Sequence, residues 1–423
     1  MKEEFLHYVW KTKQFIHKQL KTTSGDTIQI LKPGLYNTDA GPDFFNAHIK
    51  IGATLWVGNV EMHLKTSDWL KHNHQNDPAY NNVILHVVLE EDQVISLPNS
   101  QFLPCLELKT RIAPTLVKRY QKLIRNQAWI PCQAFIPTMD SNIINIWIEK
   151  LVFEKLMSKI HSLEQLLETS GNDWESVFYQ ILSRNFGLKA NAAPFELLAQ
   201  AVPWLTLLKH KNSLFQIEAL LFGQAGLLRH SFIDDYPIRL KKEFHFLKEK
   251  YNFTPLNKEI WKFSRMRPAN FPTIRIAQLA TLIYQIDNLF GKVLAAADIK
   301  ELENLFDIKL SNYWQDHYQF DKSSIKRKKT LGKKTIHLFI INTIVPFLFL
   351  YGTRKSEDKY KHKALQLLKE LQPEQNHIIK KWQGLGIKTQ SAAQTQGLLF
   401  LKKNYCESFK CLDCALGHSI LSS

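Results

Sequence analysis

The stretch Asn37-Thr-Asp-Ala-Gly-Pro-Asp43-Phe, followed by Gly58-Asn-Val-Glu61-Met-His63 and Ser67-Asp-Trp-Leu-Lys-His72-Asn-His74, decides how the first third of this 423-residue chain is read. Residues 44–51 alternate as a half-buried strand does, Gly52-Ala53 is a turn, and residues 55–64 form the returning strand. With the turn centred between Gly52 and Ala53, cross-strand partners sum to 105, so Asp43 lies opposite Met62. Glu61 and His63 then share the other face. A one-residue shift, or a bulge near Pro42, is needed to gather Asp43, Glu61 and His63 on one side.

Outward from this hairpin, residues 3–20 have helical spacing, with Phe5, Tyr8, Val9 and Phe15 on a buried face, and residues 27–31 read as a first strand. Ser67 is expected to cap a helix running through His74, residues 83–89 to form an interior strand, and residues 111–125 a further helix. The order is helix, three strands, helix, strand.

Asp43 and Glu61, brought together, are the ligands that Mg²⁺ or Mn²⁺ takes, and His63 beside them would orient or deprotonate a water. Asp68 and His72, at i and i+4, share a helix face and could point at the same metal or at a phosphate. The group His63, His72, His74 and His86 suits Zn²⁺ better, which is a competing hydrolase reading. On a continuous helix, however, His72 and His74 diverge by about 200°, so one would face the site and the other water. The bland alternative has Asp43 capping a turn, Glu61 on a solvated strand face and His63 as a polar contact.

The rest of the chain has a different texture. Residues 1–135 carry 15 Lys+Arg against 12 Asp+Glu, and the remainder 40 against 27, giving a net charge of +16 overall. A basic surplus outside the candidate site suits attraction of a polyanion. From residue 144 to about 310, long 3.6-period stretches argue for a helical domain. Within it, Arg265, Arg267 and Arg275 around Phe271 are candidate phosphate contacts, as are Lys326, Arg327 and Lys328 in a basic linker. The expected division is an α/β domain at 1–135, a helical domain at 138–314, the linker at 315–335 and a helical C-terminal segment at 336–423.

Five cysteines exclude a secreted disulfide framework in a chain of this length. Three of them cluster as Cys406, Cys411 and Cys414 with His418, a spacing able to close a zinc site; if Cys132 or Cys105 replaces the histidine, four thiolates can hold an iron–sulfur cluster. Residues 336–352 are apolar but short for a bilayer and interrupted by Asn342, Thr343 and Pro346, so a buried, proline-kinked helix is expected. The charged start, Met-Lys-Glu-Glu-Phe-Leu-His, lacks a signal-peptide core, and a cytoplasmic protein without membrane association is expected.

The order of elements, with Pro42-Asp43 entering the second strand and Glu61-x-His63 on the third, resembles the PD-(D/E)XK (restriction-endonuclease-like) nuclease superfamily. The blocks Gly-Pro-Asp-Phe, Gly-Asn-Val-Glu, Asp-Trp and Val-Ile-Leu-His-Val-Val are similar to those of a bacterial domain-of-unknown-function family, number 2851, along the whole chain. The superfamily likeness covers the first third. It implies catalytic Asp43, Glu61 and His63, with His63 where the superfamily has lysine, and Glu4 as the extra acid on the first helix. It also offers a precedent for a cysteine-held cluster that clamps the C-terminus. The expected protein is thus α+β: a restriction-endonuclease-like α/β core, a mostly α-helical domain and a C-terminal cysteine-cluster segment. It would be a Mg- or Mn-dependent nuclease acting on nucleic acid, or a non-catalytic nucleic-acid-binding or scaffold protein that retains the fold.

Overall fold

The computed structural model describes residues 1–97 and 101–422. The chain forms two units: Met1–Ile148 with Gly384–Ile387 and Leu399–Ser423, and Glu149–Gln383 with Lys388–Leu398. Its architecture is mixed α+β, a curled N-terminal sheet followed by a mostly helical region.

The first unit opens with α1 (Glu3–Lys11), which buries Phe5, Leu6, Tyr8, Val9 and Trp10. The helix ends well before residue 20. The Thr12 hydroxyl bonds back to the Tyr8 carbonyl at 2.7 Å, and Lys13 takes a left-handed φ of 54°. The sheet comprises β1 (Ile28–Lys32), β2 (Leu35–Tyr36), β3 (Phe44–Ile51), β4 (Thr54–Lys65), β5 (Val83–Glu90) and β6 (Cys105–Glu107). Its order is β1-β3-β4-β5-β6, with β2 also pairing β3. Strands β3 and β4 are antiparallel, whereas β4–β5 and β5–β6 are parallel. A short α2 (Asp68–Lys71) intervenes between β4 and β5, and α3 (Pro114–Ile124) follows the sheet. Tyr120 of α3 stacks on Phe5 of α1 at 4.2 Å between ring centroids.

The hairpin register is decisive. From Ile51↔Thr54 to Ala47↔Gly58 partners sum to 105, but Phe44 then pairs with Val60. The extra residue of β3 is taken up in a bulge where Asn46 has a φ of 54° and its N–H donates to Asn59 Oδ1 at 3.3 Å. Phe44, Val60 and Met62 are all fully buried on one face, which puts Asp43, Glu61 and His63 together on the other.

In the second unit one large apolar cluster runs from Val152 to Ala392. The apolar segment is the helix Lys333–Arg354, mostly buried along its most apolar stretch, and it supplies core residues from Ile336 to Leu350. A π-turn at Ile340–Ile344 interrupts it just ahead of Pro346, whose missing N–H cannot continue an α-helical ladder. Residues 315–335 hold a two-stranded hairpin, His317–Gln319 with Lys322–Ser323. There Lys329 is buried, its Nζ donating to the Gln315 carbonyl at 2.8 Å.

Candidate metal centre

The bulge locks the two acids reciprocally. The Asp43 N–H donates to Glu61 Oε2 at 3.1 Å, and the Met62 N–H donates to Asp43 Oδ2 at 2.9 Å. Glu61 Oε1 is left facing imidazoles: His63 Nε2 is 3.5 Å away and His74 Nε2 3.3 Å. His72 Nδ1 lies 3.0 Å from His63 Nε2. Among the described residues, His63, His72 and His74 have ligand atoms all within 4.8 Å of one another. Glu61 is only 5% exposed, so it occupies no solvated strand face.

His72 and His74 both converge on His63, and His72 is at the same time the exposed member of the pair, so facing the site and facing water are not alternatives here. Helix α2 stops at Lys71, and Asn73 adopts φ 61°, ψ 30° before a 3₁₀ turn begins at His74. That left-handed residue reverses the helical advance and turns both rings to one side. Asparagine is the side chain apart from glycine that best tolerates the conformation. The signal was therefore in the sequence, between the two histidines.

Two further expectations change. Glu4 is exposed, and Glu3 is the acid on α1 that senses the site. Burial, with Asp43 nearby, raises the Glu3 carboxyl to about 7. One turn on, His7 places Nε2 3.3 Å from Asp43 Oδ2 and Nδ1 3.3 Å from the Tyr36 hydroxyl. Sequence reading missed both Glu3 and His7; their i, i+4 spacing on the first helix was the available clue. Asp68 does not point with His72 at an ion. It accepts from the Lys65 N–H at 3.0 Å and pairs with Lys71 at 2.6 Å.

His86, opposite Glu61 in the β4–β5 register, sets its Nε2 2.9 Å from His63 Nδ1. Both rings are held neutral: burial, then neighbouring histidines, pushes His63 down to about 2, and burial pushes His86 down to about 3. Burial beside Asp43 raises the Glu61 carboxyl. Tyr80 stacks on His74 at 3.8 Å, and Trp69 meets His74 and His86 at 5.4 Å.

The donor set fits a metal ion. Zinc held at roughly 2.0–2.1 Å by nitrogen and oxygen sets neighbouring ligand atoms about 3.3 Å apart. The contacts of 3.0, 3.3 and 3.5 Å around Glu61 and His63 match that spacing. The buried His74 Nε2 makes no aligned hydrogen bond, although Glu61 Oε1 is close by. Two atoms aimed at one shared ion would leave this signature, whereas His63 Nε2 and His72 Nδ1 stand in hydrogen-bond geometry with each other.

Of the candidate phosphate contacts, Arg265, Arg267, Lys326, Arg327 and Lys328 are exposed. Arg275 is not available: it is 4% exposed and donates to Gln278 Oε1 at 3.0 Å and Asn270 Oδ1 at 2.6 Å. Phe271 packs against Phe263. At the C-terminus, Cys406, Cys411 and Cys414 share a cavity with Cys132. His418 is exposed instead, its Nδ1 3.0 Å from the Tyr8 hydroxyl, so it does not complete the cysteine set. Cys105 stands in β6 opposite His86. Burial raises the Cys132 and Cys411 thiols to about 12.

A family model described as "Protein of unknown function (DUF2851)" matches residues 3–377. No match is found among the curated proteins or among the solved structures.

Proposed function

The chain belongs to that family, and from this premise we propose that it is a metal-dependent hydrolase of phosphodiester bonds in nucleic acid. The observation that carries the reading is the convergence of Glu61 Oε1, His63, His72 and His74 beside Asp43. The resemblance to PD-(D/E)XK nucleases supports the substrate class, as do a parallel strand following the antiparallel hairpin and the charge of +16. Imidazole-rich ligation favours zinc, or manganese, over the magnesium that a purely carboxylate pair would take.

Glu61 Oε1, His63 Nε2, His72 and His74 would hold the ion. Bound there, it would supply Lewis-acid polarisation of a phosphoryl oxygen and lower the pKa of a water. His63, as a ligand through Nε2, keeps its proton on Nδ1 and donates it to His86 Nε2, which fixes the ring. His63 therefore gives up the role of base. His7 takes it: Nε2 can accept a proton, and Asp43 Oδ2 at 3.3 Å stabilises the imidazolium that results.

The test is cleavage of plasmid, linear duplex and single strands by the full chain with Zn²⁺, Mn²⁺ or Mg²⁺. Wild type should cut at least one substrate. Glu61→Gln should lose both metal and cutting, and His7→Ala should lose cutting while keeping metal. Metal-loaded wild type that leaves every substrate intact would end the hydrolase reading. A second reading has one observation in its favour. His63, standing where the superfamily has a charged lysine, is neutral, which suits a protein that binds nucleic acid without cutting it. Salt-dependent binding without cleavage would support that alternative.

A further inference from the structure

In the second unit the helix Asp235–Tyr251 has one cationic face. Lys241, Lys242, His245 and Lys248 recur at helical spacing, and with Arg229 they line an open groove of about 590 Å³. Its floor is apolar, formed by the buried Leu228 and Phe244. Among the described residues no carboxylate lines it. The helix's acids are engaged elsewhere: Glu243 accepts from Gln216 Nε2 at 2.8 Å, and Asp235 pairs with Arg239 at 3.6 Å. Glu249 reaches Lys248 at 3.7 Å, but both side chains meet water, where such a pair is worth little.

Like charges gathered in this way repel one another, and an entering anion relieves the repulsion. Two of the cations are nonetheless fixed in place, and by neutral groups. Lys241 Nζ donates to the His230 carbonyl at 3.0 Å, and the Arg229 guanidinium donates to the Pro255 carbonyl at 2.9 Å. A carbonyl orders a cation without neutralising it, so the charge stays available to a ligand. The wall behind them is firm as well. Gln224 Nε2 donates to the Thr254 carbonyl at 2.6 Å, the Leu256 N–H donates to the Gln224 carbonyl at 2.8 Å, and a Cβ on Gly226 would collide with the Leu256 carbonyl.

The layout of the charges distinguishes one anion from a chain of them. From Lys241 to Lys248 the helix rises about 10 Å, so the positive groups are strung out instead of converging on a point. A lone phosphate is gripped by converging donors, whereas a phosphate backbone is met by charges in a row. Apolar walls of low dielectric focus the field of those charges into the groove. We propose that the groove of Arg229, Lys241, Lys242 and Lys248 holds the phosphate backbone of a nucleic-acid strand. This rests on the nucleic-acid substrate of the reading above and gives the helical unit the task of holding it. Contacts to phosphate carry no base identity, so the binding is independent of sequence.

The experiment measures binding of fluorescent single-stranded and duplex 20-mers to the full chain in chelator, across a series of salt concentrations. Lys242→Ala/Lys248→Ala removes two groove charges. Lys300→Ala/Lys309→Ala removes two exposed lysines of the same unit that lie outside the groove. The groove pair should weaken single-strand binding roughly tenfold at 0.1 M salt and make the salt slope shallower by about 1.4, while the control pair stays within about twofold. Urea unfolding checks that both variants fold as wild type does. Equal losses in the two variants would reduce the effect to net charge and overturn the groove, as would unchanged binding in the groove pair. Competition by millimolar inorganic phosphate as effective as that by unlabelled strand would make it a single-phosphate site instead. Loss of binding to phosphatidylserine–phosphatidylcholine vesicles alone would assign it to a membrane surface. Because chelator prevents cutting, groove-dependent binding by a protein that never cleaves ends the hydrolase reading and leaves the groove standing. Cleavage with an unchanged KM in the groove pair does the reverse.

Discussion

Glu61 in the first unit and Glu218 in the second are both buried carboxylates, 5% and 1% exposed, yet their surroundings are opposite in kind. Glu218 is answered by donors. The Tyr236 hydroxyl donates to Oε2, and Trp314 Nε1 at 3.1 Å and the Ser311 hydroxyl at 3.4 Å donate to Oε1. Glu61 accepts one backbone N–H on Oε2, and its other oxygen faces ring nitrogens that are not aligned to donate. The first arrangement is complete as it stands and is structural. The second gathers an acid oxygen and ring nitrogens without aligned donors, which is the geometry the metal proposal rests on. Burial of an acid therefore does not mark a site; unmatched ligand atoms around it do.

The largest effect that would test this contrast is on zinc affinity. Glu61→Ala should weaken binding on the order of 1,000-fold, about 4 kcal/mol, while Glu218→Ala leaves it within about twofold by calorimetry. Equal affinities across the three proteins would erase the distinction. Next comes stability. Glu218→Ala strands the Trp314 N–H and the Tyr236 hydroxyl, and should cost about 3 kcal/mol in urea unfolding of the second unit. Metal-free Glu61→Gln should change stability by less than about 1 kcal/mol.

The pH dependence follows from burial, which raises Glu218 to about 7 against an unfolded value of 4.5. The native chain keeps a proton that the unfolded chain has released, so this contribution is complete below pH 4.5 and is lost as pH rises to 7. Wild type should lose about 3 kcal/mol more than Glu218→Gln across that window. Parallel stability curves for the two proteins would contradict it. The smallest effect is at Asn73. A β-branched Asn73→Val, strained at φ 61°, should cost about 1 kcal/mol and loosen zinc severalfold, whereas Asn73→Gly restores the left-handed turn.

Pattern alone determined a good deal here. The period-2 alternation of residues 44–51 and the Gly52-Ala53 turn gave β3 and the register through Ala47↔Gly58, because side-chain period and turn geometry are local properties. The apolar run at 83–89 became a strand buried along most of its length, and the interrupted apolar segment became a core helix with an irregularity before Pro346. Three cysteines could be grouped by spacing alone.

Tertiary structure decided what had to be chosen among near-equals. Whether Asp43 meets Glu61 depended on one extra residue at Asn46, a backbone state that costs about 1–2 kcal/mol and is fixed only when the sheet pairs on either side of it. Whether Glu3 or Glu4 turns inward depended on the roll of α1 over the core, and whether His72 joins His74 on where a four-residue helix ends. The partner of the terminal cysteines, Cys132 rather than His418, lies far away in sequence, and only packing brings it into their cavity. Sequence sets the residue types and local periods; the long-range contacts, each too weak to read locally, fix which of those residues share a site.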